Sequence, residues 1–234
     1  MQHINSRDEL LRIAQSRLYP SITNPSYLVL RRRREILTRW IADLPGNKLM
    51  VLDVGGRYQP YRPLLQDRTS RYIALDVMRT AFVDAVGKGQ QLPFRNDLFD
   101  LVLATSVFEY ISDPFAAANE IYRVLKPGSH LIMSVASVYP RVGDEEYWRY
   151  FPAGIRAVLS PFAKVEVVPE TASVGGFCRM TSASLSIMAK YHFVRTIVHR
   201  TAVPLLNLAG LALDRRSIST NDQIAGNFSA LAQK

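Results

Sequence analysis

The sequence predicts a single doubly wound α/β domain, a mostly parallel sheet with helices on both faces. Three observations carry this expectation. Short apolar runs such as 48–54 and 130–135 read as strands buried on both faces. Helical segments alternate with those runs along most of the chain. Glycine or an acidic residue stands where the early strands end, at Asp53-Val54-Gly55-Gly56 and at Asp76, and open parallel sheets bind ligands at that edge.

The elements follow in order. Residues 1–45 are expected to form a helical N-terminal extension, because segment 27–44 places Leu30, Ile36, Leu37, Trp40, Ile41 and Leu44 at helical spacing. Residues 46–234 form the α/β domain. Its first strand, 48–54, lies between Pro45-Gly46 and Gly55-Gly56. A helix near 61–66, a second strand at 72–75 ending at Asp76 and a third at 82–86 come next. The fourth strand is 99–104. Asp113 as N-cap and Pro114 at the first helical position open a helix that runs through Leu125, and Pro127-Gly128 stop it. The fifth strand is 130–135. A lid segment at about 140–160 contains a helix at 152–159. A strand at 165–168, a loop through Gly175-Gly176, a helical insertion at about 180–216 and a last strand at 228–232 complete seven strands. Right-handed crossovers join the parallel ones.

Composition narrows the class. The 234 residues, 48% hydrophobic and 21% charged, exclude disordered and collagen-like chains and suit one core with extensions. Cys178 is the only cysteine, so no internal disulfide is possible and a reducing compartment is expected. Residues 1–17 interleave polar and apolar side chains, unlike a signal peptide, so the expected location is cytoplasmic. The uncharged stretch 201–213 is too short to cross about 30 Å of hydrocarbon and contains Pro204. The net charge of +9 favours polyanions without identifying one. Arg31-Arg32-Arg33-Arg34 reads either as a solvated helix face or as an anion or membrane contact.

The strand ends place Asp53 with Gly55 and Gly56, then Asp76, then Thr105-Ser106 and Glu109 along one edge. Glycine there allows close backbone approach and offers N–H groups to a ligand. Asp76 stands about twenty residues past the turn, where a carboxylate accepts from ribose hydroxyls in nucleotide sites. Gly55-Gly56-Arg57-Tyr58-Gln59-Pro60 lacks the G-x-G-x-x-G of dinucleotide sites, and no P-loop is present. A carboxylate at position 53 repels a pyrophosphate and favours a cationic, sulfonium cofactor.

On these residues the chain resembles the class I S-adenosylmethionine-dependent methyltransferases of small-molecule type. VLDVGG at 51–56 resembles their first motif, YIALDV at 72–77 their ribose-binding strand end, and GQQLPFRNDLFDLVLATSVFEYISDP at 89–114 their adenine and fourth-strand region. NEIYRVLKPGSHLIMSV at 119–135 matches their helix-turn-strand. The resemblance implies a Rossmann-like seven-stranded sheet with S-adenosylmethionine as cofactor. It places Asp53, Gly55 and Gly56 at the methionyl part, Asp76 at the ribose, Val77 at the adenine, Gln91 and Leu92 at the adenine rim and Thr105 on the floor. GDEEYWRYFPAGIRAVL at 143–159 is similar to a segment of members associated with cell-surface glycan synthesis. The chain departs from the pattern where Arg57 replaces a glycine, Lys88 an acidic residue and Tyr110 a histidine. Arg57 is expected to pair with the cofactor's carboxylate by a bidentate contact or to turn outward.

Methyl transfer is an in-line displacement, so positioning comes first. Glu109, Glu145, Glu146 and Tyr147 are candidates for taking the acceptor's proton, although Glu109 is better suited to fixing the loop after the fourth strand by a hydrogen bond. Tyr147, Trp148 and Arg149 are expected to bind a small-molecule or glycan-linked acceptor, or in the case of Trp148 to pack the lid. His130 begins a strand at the far edge and takes no catalytic role. No metal is expected, and the segment after the fourth strand, Ala104-Thr105-Ser106-Val107, lacks the tetrapeptide of amino-directed nucleic-acid enzymes, so no nucleic acid is expected. A catalytically silent binding protein is the competing class. The stretch 194–213 together with the basic run at 31–34 suits either core packing or peripheral contact with an anionic membrane at its inner surface.

Overall fold

In the computed structural model, residues 6–214 and 221–234 are described. Seven strands form one sheet: β1 (Leu49–Val54), β2 (Thr69–Asp76), β3 (Ala85–Val86), β4 (Phe99–Thr105), β5 (Leu125–Ala136), β6 (Lys164–Pro169) and β7 (Asn227–Gln233). Their order is β3-β2-β1-β4-β5-β7-β6. All pairs are parallel except those of β7, which runs antiparallel to both β5 and β6. The order reverses between β1 and β4, so the ligand crevice opens where β1 and β4 end.

The helices are α1 (Arg7–Leu18), α2 (Tyr27–Asp43), α3 (Pro114–Val124), α4 (Pro152–Val158), α5 (Ser173–Met188), α6 (His192–Arg200) and α7 (Ala202–Asp214). One face of the sheet packs Val51, Leu101, Leu103 and Ile132 against Leu37, Trp40 and Ile41 of α2. The other packs Leu52, Val102, Leu131 and Met133 against Ala117, Ala118 and Ile121 of α3. The α3 cap is as expected, Asp113 Oδ1 accepting from Ala116 N–H at 3.0 Å.

Several expectations change. The third strand shrinks to Ala85–Val86 because Asp84 turns inward, its Oδ2 accepting from Ala74 N–H at 2.8 Å. β5 begins at Leu125, since Pro127-Gly128 end the helix without ending the pairing with β4, which resumes at His130 after a register shift. Gly175 and Gly176 lie inside α5 rather than in a loop. A Cβ on Gly176 would come within 1.7 Å of Ile224 O, and one on Gly175 within 2.0 Å of Asp214 Oδ2, so close packing and not chain reversal requires glycine there. The helical insertion is three helices starting at Ser173; positions 215 and 216, like residues 1–5 of the N-terminal extension, lie outside the described residues.

Three of the four arginines of the basic run stay at the surface and one is buried. Arg31 and Arg32 pair with Glu35, and Arg34 donates to Leu18 C=O and lies over the Tyr19 ring. Arg33 is buried, with Nε and Nη2 on the two oxygens of Glu170 at 2.9 and 3.0 Å. Glu170 also accepts from Ser134 Oγ at 2.5 Å and Ser229 Oγ at 2.7 Å. Burial opposes charge on Arg33, but Glu170 beside it holds the guanidinium protonated above its ordinary range.

Candidate cofactor and acceptor site

β1 delivers Asp53 to the centre of the sheet, beside Ala74 of β2 and Leu103 of β4. The chain then turns through Gly55, whose φ of +78° suits glycine. A Cβ on Gly55 would meet Val107 at 2.7 Å, and one on Gly56 would meet Asp53 O at 2.8 Å. Both positions therefore admit glycine alone. Their N–H groups are not free for a ligand, contrary to the sequence reading: both donate to Leu75 C=O, at 2.8 and 3.1 Å. The turn is pinned to β2, and what it offers a ligand is shape and the side chains around it.

Those side chains are acidic at the back. Asp53 is buried, and its Oδ2 accepts from Tyr72 Oη at 2.6 Å. Burial raises its pKa to about 7, the Tyr72 hydrogen bond lowers it and the neighbouring Asp76 raises it further. Asp76, at the end of β2, is also buried; its Oδ1 accepts from Met78 N–H at 2.8 Å, which fixes the carboxylate at the strand end. Arg57 turns towards Met78, with Nη1 at 2.8 Å from the sulfur, and its buried Nε has no partner. Val77 stands exposed beside Asp76 and Gln91 is exposed, while Leu92 is buried with its N–H on Glu120 Oε2 at 2.8 Å. Thr105 closes β4, paired with Ser134 of β5.

After β4, Ser106 adopts φ +52° and Glu109 folds back under the lid. Glu109 Oε1 accepts from Ala136 N–H at 2.6 Å, and its backbone C=O accepts from the N–H groups of Tyr147 and Trp148 at 2.8 and 3.3 Å. One residue thus ties the fourth-strand loop, the end of β5 and the lid together. Burial raises its pKa, although backbone donors oppose the shift, and Oε2 is buried without a partner. Trp148 Nε1 donates to Ile111 C=O at 2.9 Å and leaves much of the ring exposed; the Tyr147 side chain points outward. Arg149 is engaged within the lid, with Nη2 on Glu146 Oε2 at 2.7 Å. Burial would raise Glu146, yet donors from Arg149 and Val142 outweigh it and lower its pKa. Burial, with Glu146 and Glu109 nearby, pushes the Tyr110 hydroxyl up to about 12.

The sequence did not single out Tyr72 or Glu170, and gave Arg33 only as one of four arginines in the basic run. Tyr72 sits in a strand and Glu170 just past one; only the three-dimensional register puts them behind Asp53 and under Ser106, whose Oγ accepts from Arg33 Nη1 at 3.1 Å. A cavity of about 860 Å³ lies beside rather than on the predicted residues. It runs between α1, Tyr58-Gln59 and β2, and reaches the motif through Tyr72.

A sheet of this order, with a glycine-only turn after β1 and carboxylates ending β1 and β2, has the Rossmann-like architecture of class I S-adenosylmethionine-dependent methyltransferases. Comparison with known proteins agrees. Residues 52–133 match the methyltransferase domain family. An uncharacterized methyltransferase of Mycobacterium leprae (strain TN) is 28% identical over 166 residues, 66% of this chain and 61% of that protein. The chloroplastic 2-methyl-6-phytyl-1,4-hydroquinone methyltransferase 2 of Oryza sativa subsp. japonica is 28% identical over 153 residues, 58% of this chain and 43% of that protein. The matches thus span less than two thirds of these relatives' own lengths. Among solved structures, the 4+2 cyclase SpnF superposes with a TM-score of 0.54 at 18% identity, covering 88% of this chain and 82% of its own. That likeness concerns the fold alone.

The residues fit such a cofactor. The turn tolerates no Cβ, the buried Arg57 Nε awaits an acceptor and Asp53 and Asp76 present acidic groups to a cation and to hydroxyls.

Proposed function

We propose that this chain is an S-adenosylmethionine-dependent methyltransferase acting on a small-molecule acceptor, with a glycan-linked acceptor as the narrower reading. The observation that carries it is the pairing of the glycine-only turn with Asp53 and Asp76 at the ends of adjacent strands. S-adenosylmethionine held there supplies an electrophilic methyl group on a sulfonium. Asp53 opposes positive charge beside the turn, Arg57 receives the carboxylate and Asp76 accepts from the ribose hydroxyls. Val77, Gln91 and Leu92 border the adenine, with Thr105 below.

The acceptor enters between the turn and the lid. The exposed faces of Tyr147 and Trp148 suit a flat or sugar ring, and a relative named as a hydroquinone methyltransferase agrees with a ring-shaped small molecule. Glu109 positions the lid through the Tyr147 and Trp148 N–H groups. Its Oε2 is buried without a hydrogen-bond partner and burial raises its pKa, so in its ionised form it is the candidate for taking the acceptor's proton. Arg149 acts through Glu146, ordering the lid.

Calorimetric titration with S-adenosylmethionine and S-adenosylhomocysteine tests the proposal, followed by transfer of labelled methyl groups to polar and lipid extracts. Binding of both, with label appearing in one acceptor fraction, is the expected outcome. Folded protein that binds neither overturns it; binding without transfer to any fraction supports the catalytically silent class instead.

A further inference from the structure

The helices α6 and α7 are inside out. α6 buries no residue, but its polar side is the one turned to the protein: His199 Nε2 lies 3.0 Å from Ser186 Oγ of α5, and His192, Arg195, Thr196, His199 and Arg200 line an open cleft with Thr23. Phe193, Val194 and Ile197 occupy the opposite arc and are exposed, Phe193 to 73%. In α7 the buried stripe is Val203, Asn207, Gly210 and Asp214. Asn207 Nδ2 donates to the carbonyls of Ile22 and Asn24, Gly210 packs on Leu28, and Asp214 accepts from the N–H groups of Ala172 and Gly175. Leu205 and Leu208 point outward, 67% and 54% exposed. A soluble helix buries the opposite faces. Core packing, which the sequence left open for this stretch, therefore accounts for the α7 stripe but not for the exposed apolar arc.

The surroundings select the occupant. No acidic residue falls between Glu170 and Asp214, whereas Lys190 precedes α6, Arg195 and Arg200 are exposed at the mouth of the cleft and border the apolar arc from its two sides, and Tyr191 is exposed at its rim. Apolar side chains bordered by cations and an aromatic ring, with no carboxylate among them, complement the headgroup and acyl boundary of an anionic bilayer. A protein partner would need acids opposite the cations and a matched shape; a bilayer needs neither. Residues 192–214 have the length and hydropathy of a membrane span. The break at Thr201 and the docking of the α7 stripe on α2 and α5 make them lie along the surface instead.

We propose that the exposed face of α6 and α7 seats the protein on an anionic lipid bilayer, with Phe193, Ile197 and Leu205 in the acyl boundary and Lys190, Arg195 and Arg200 at the phosphates. α5 leaves from the edge of the sheet that carries Glu170, the same edge as the candidate site, and α7 returns to it where Asp214 meets Ala172 and Gly175. The docking itself does not depend on the methyltransferase reading.

Vesicle flotation of the full chain tests it. Vesicles with roughly 30% phosphatidylglycerol should bind at least about tenfold more tightly than phosphatidylcholine alone, and salt should weaken the difference. Phe193→Asp with Leu205→Asp should lose at least about tenfold with an unchanged melting temperature, because both side chains are exposed. Lys190→Gln, Arg195→Gln and Arg200→Gln together should abolish the preference for anionic lipid. Equal recovery with both vesicle types overturns the proposal, as does undiminished binding by the Asp variant. A chain that self-associates through this face, loses that association in the Asp variant and ignores vesicles also overturns it, in favour of a second copy as occupant.

Discussion

Asp53 makes the candidate site sensitive to pH near neutrality. Burial and the neighbouring Asp76 hold its carboxyl near pKa 7, against an ordinary value of 3.8. A bound sulfonium or ammonium favours the carboxylate and lowers that pKa, so binding requires the proton to leave. In the free protein about ten in eleven molecules carry the proton at pH 6 and about one in eleven at pH 8. S-adenosylhomocysteine and S-adenosylmethionine should therefore bind about tenfold more tightly at pH 8 than at pH 6. Asp53→Asn, whose amide oxygen still accepts from Tyr72, should bind more weakly overall and lose this slope, and it subtracts any titration of the ligand itself. The free protein behaves oppositely. Its folded state favours protonated Asp53, so this residue's contribution to stability is greatest below pH 4 and falls as pH rises towards 7. Calorimetry at pH 6, 7 and 8 on both proteins checks the reasoning. A wild-type affinity flat across that range, or the same slope in Asp53→Asn, would refute it.

Glu170→Ala leaves Arg33 buried without its carboxylate and removes the acceptor of Ser134 and Ser229. Breaking a buried ion pair from one side costs about 3–5 kcal/mol, so differential scanning fluorimetry should show melting lowered by roughly 6–20 °C at this size. Adding Arg33→Met should recover part of the loss, and equal melting of Glu170→Ala and wild type would argue against the network. Gly176→Ala places a methyl on the Ile224 carbonyl, backbone against backbone, whereas Gly143→Ala meets nothing within 4 Å. The first should give little folded protein and the second should melt as wild type; soluble yield and circular dichroism separate the two.

The centre of the sheet was legible because parallel strands buried on both faces are written as unbroken apolar runs, as in β1 and the second half of β5. β3 was overestimated for the converse reason. Its flanking residues are apolar, but Asp84 feeds its carboxylate to β2 and stops the ladder short. The positions of Asp53, Gly55, Gly56 and Asp76 were legible from spacing alone. Their partners were not: Tyr72 reaches Asp53 only through the register of β1 with β2, and the Leu75 carbonyl takes the glycine N–H groups by the same pairing. Sequence shows where a turn lies, and only pairing shows which of its groups are left for a ligand.

Arg33 and the α6–α7 pair depart from the expected orientation in a shared way. Periodicity shows that a helix has two unlike faces, and the convention that the apolar one turns inward supplies the sign. Among four consecutive arginines, helical geometry turns one position onto the core, and Arg33 is that one because Glu170 waits at the end of β6. In α7 the sign reverses because Asn207, Gly210 and Asp214 each have a specific inward partner: two carbonyls, a close helix crossing and two N–H groups. Three polar or small residues so matched fix the orientation of the helix. Its leucines are then driven outward, although burying each would stabilise the chain by about 1.5–3 kcal/mol. A fold that leaves this stabilisation unused on two successive helices needs an apolar medium outside itself, and the cations around the patch give that medium its charge.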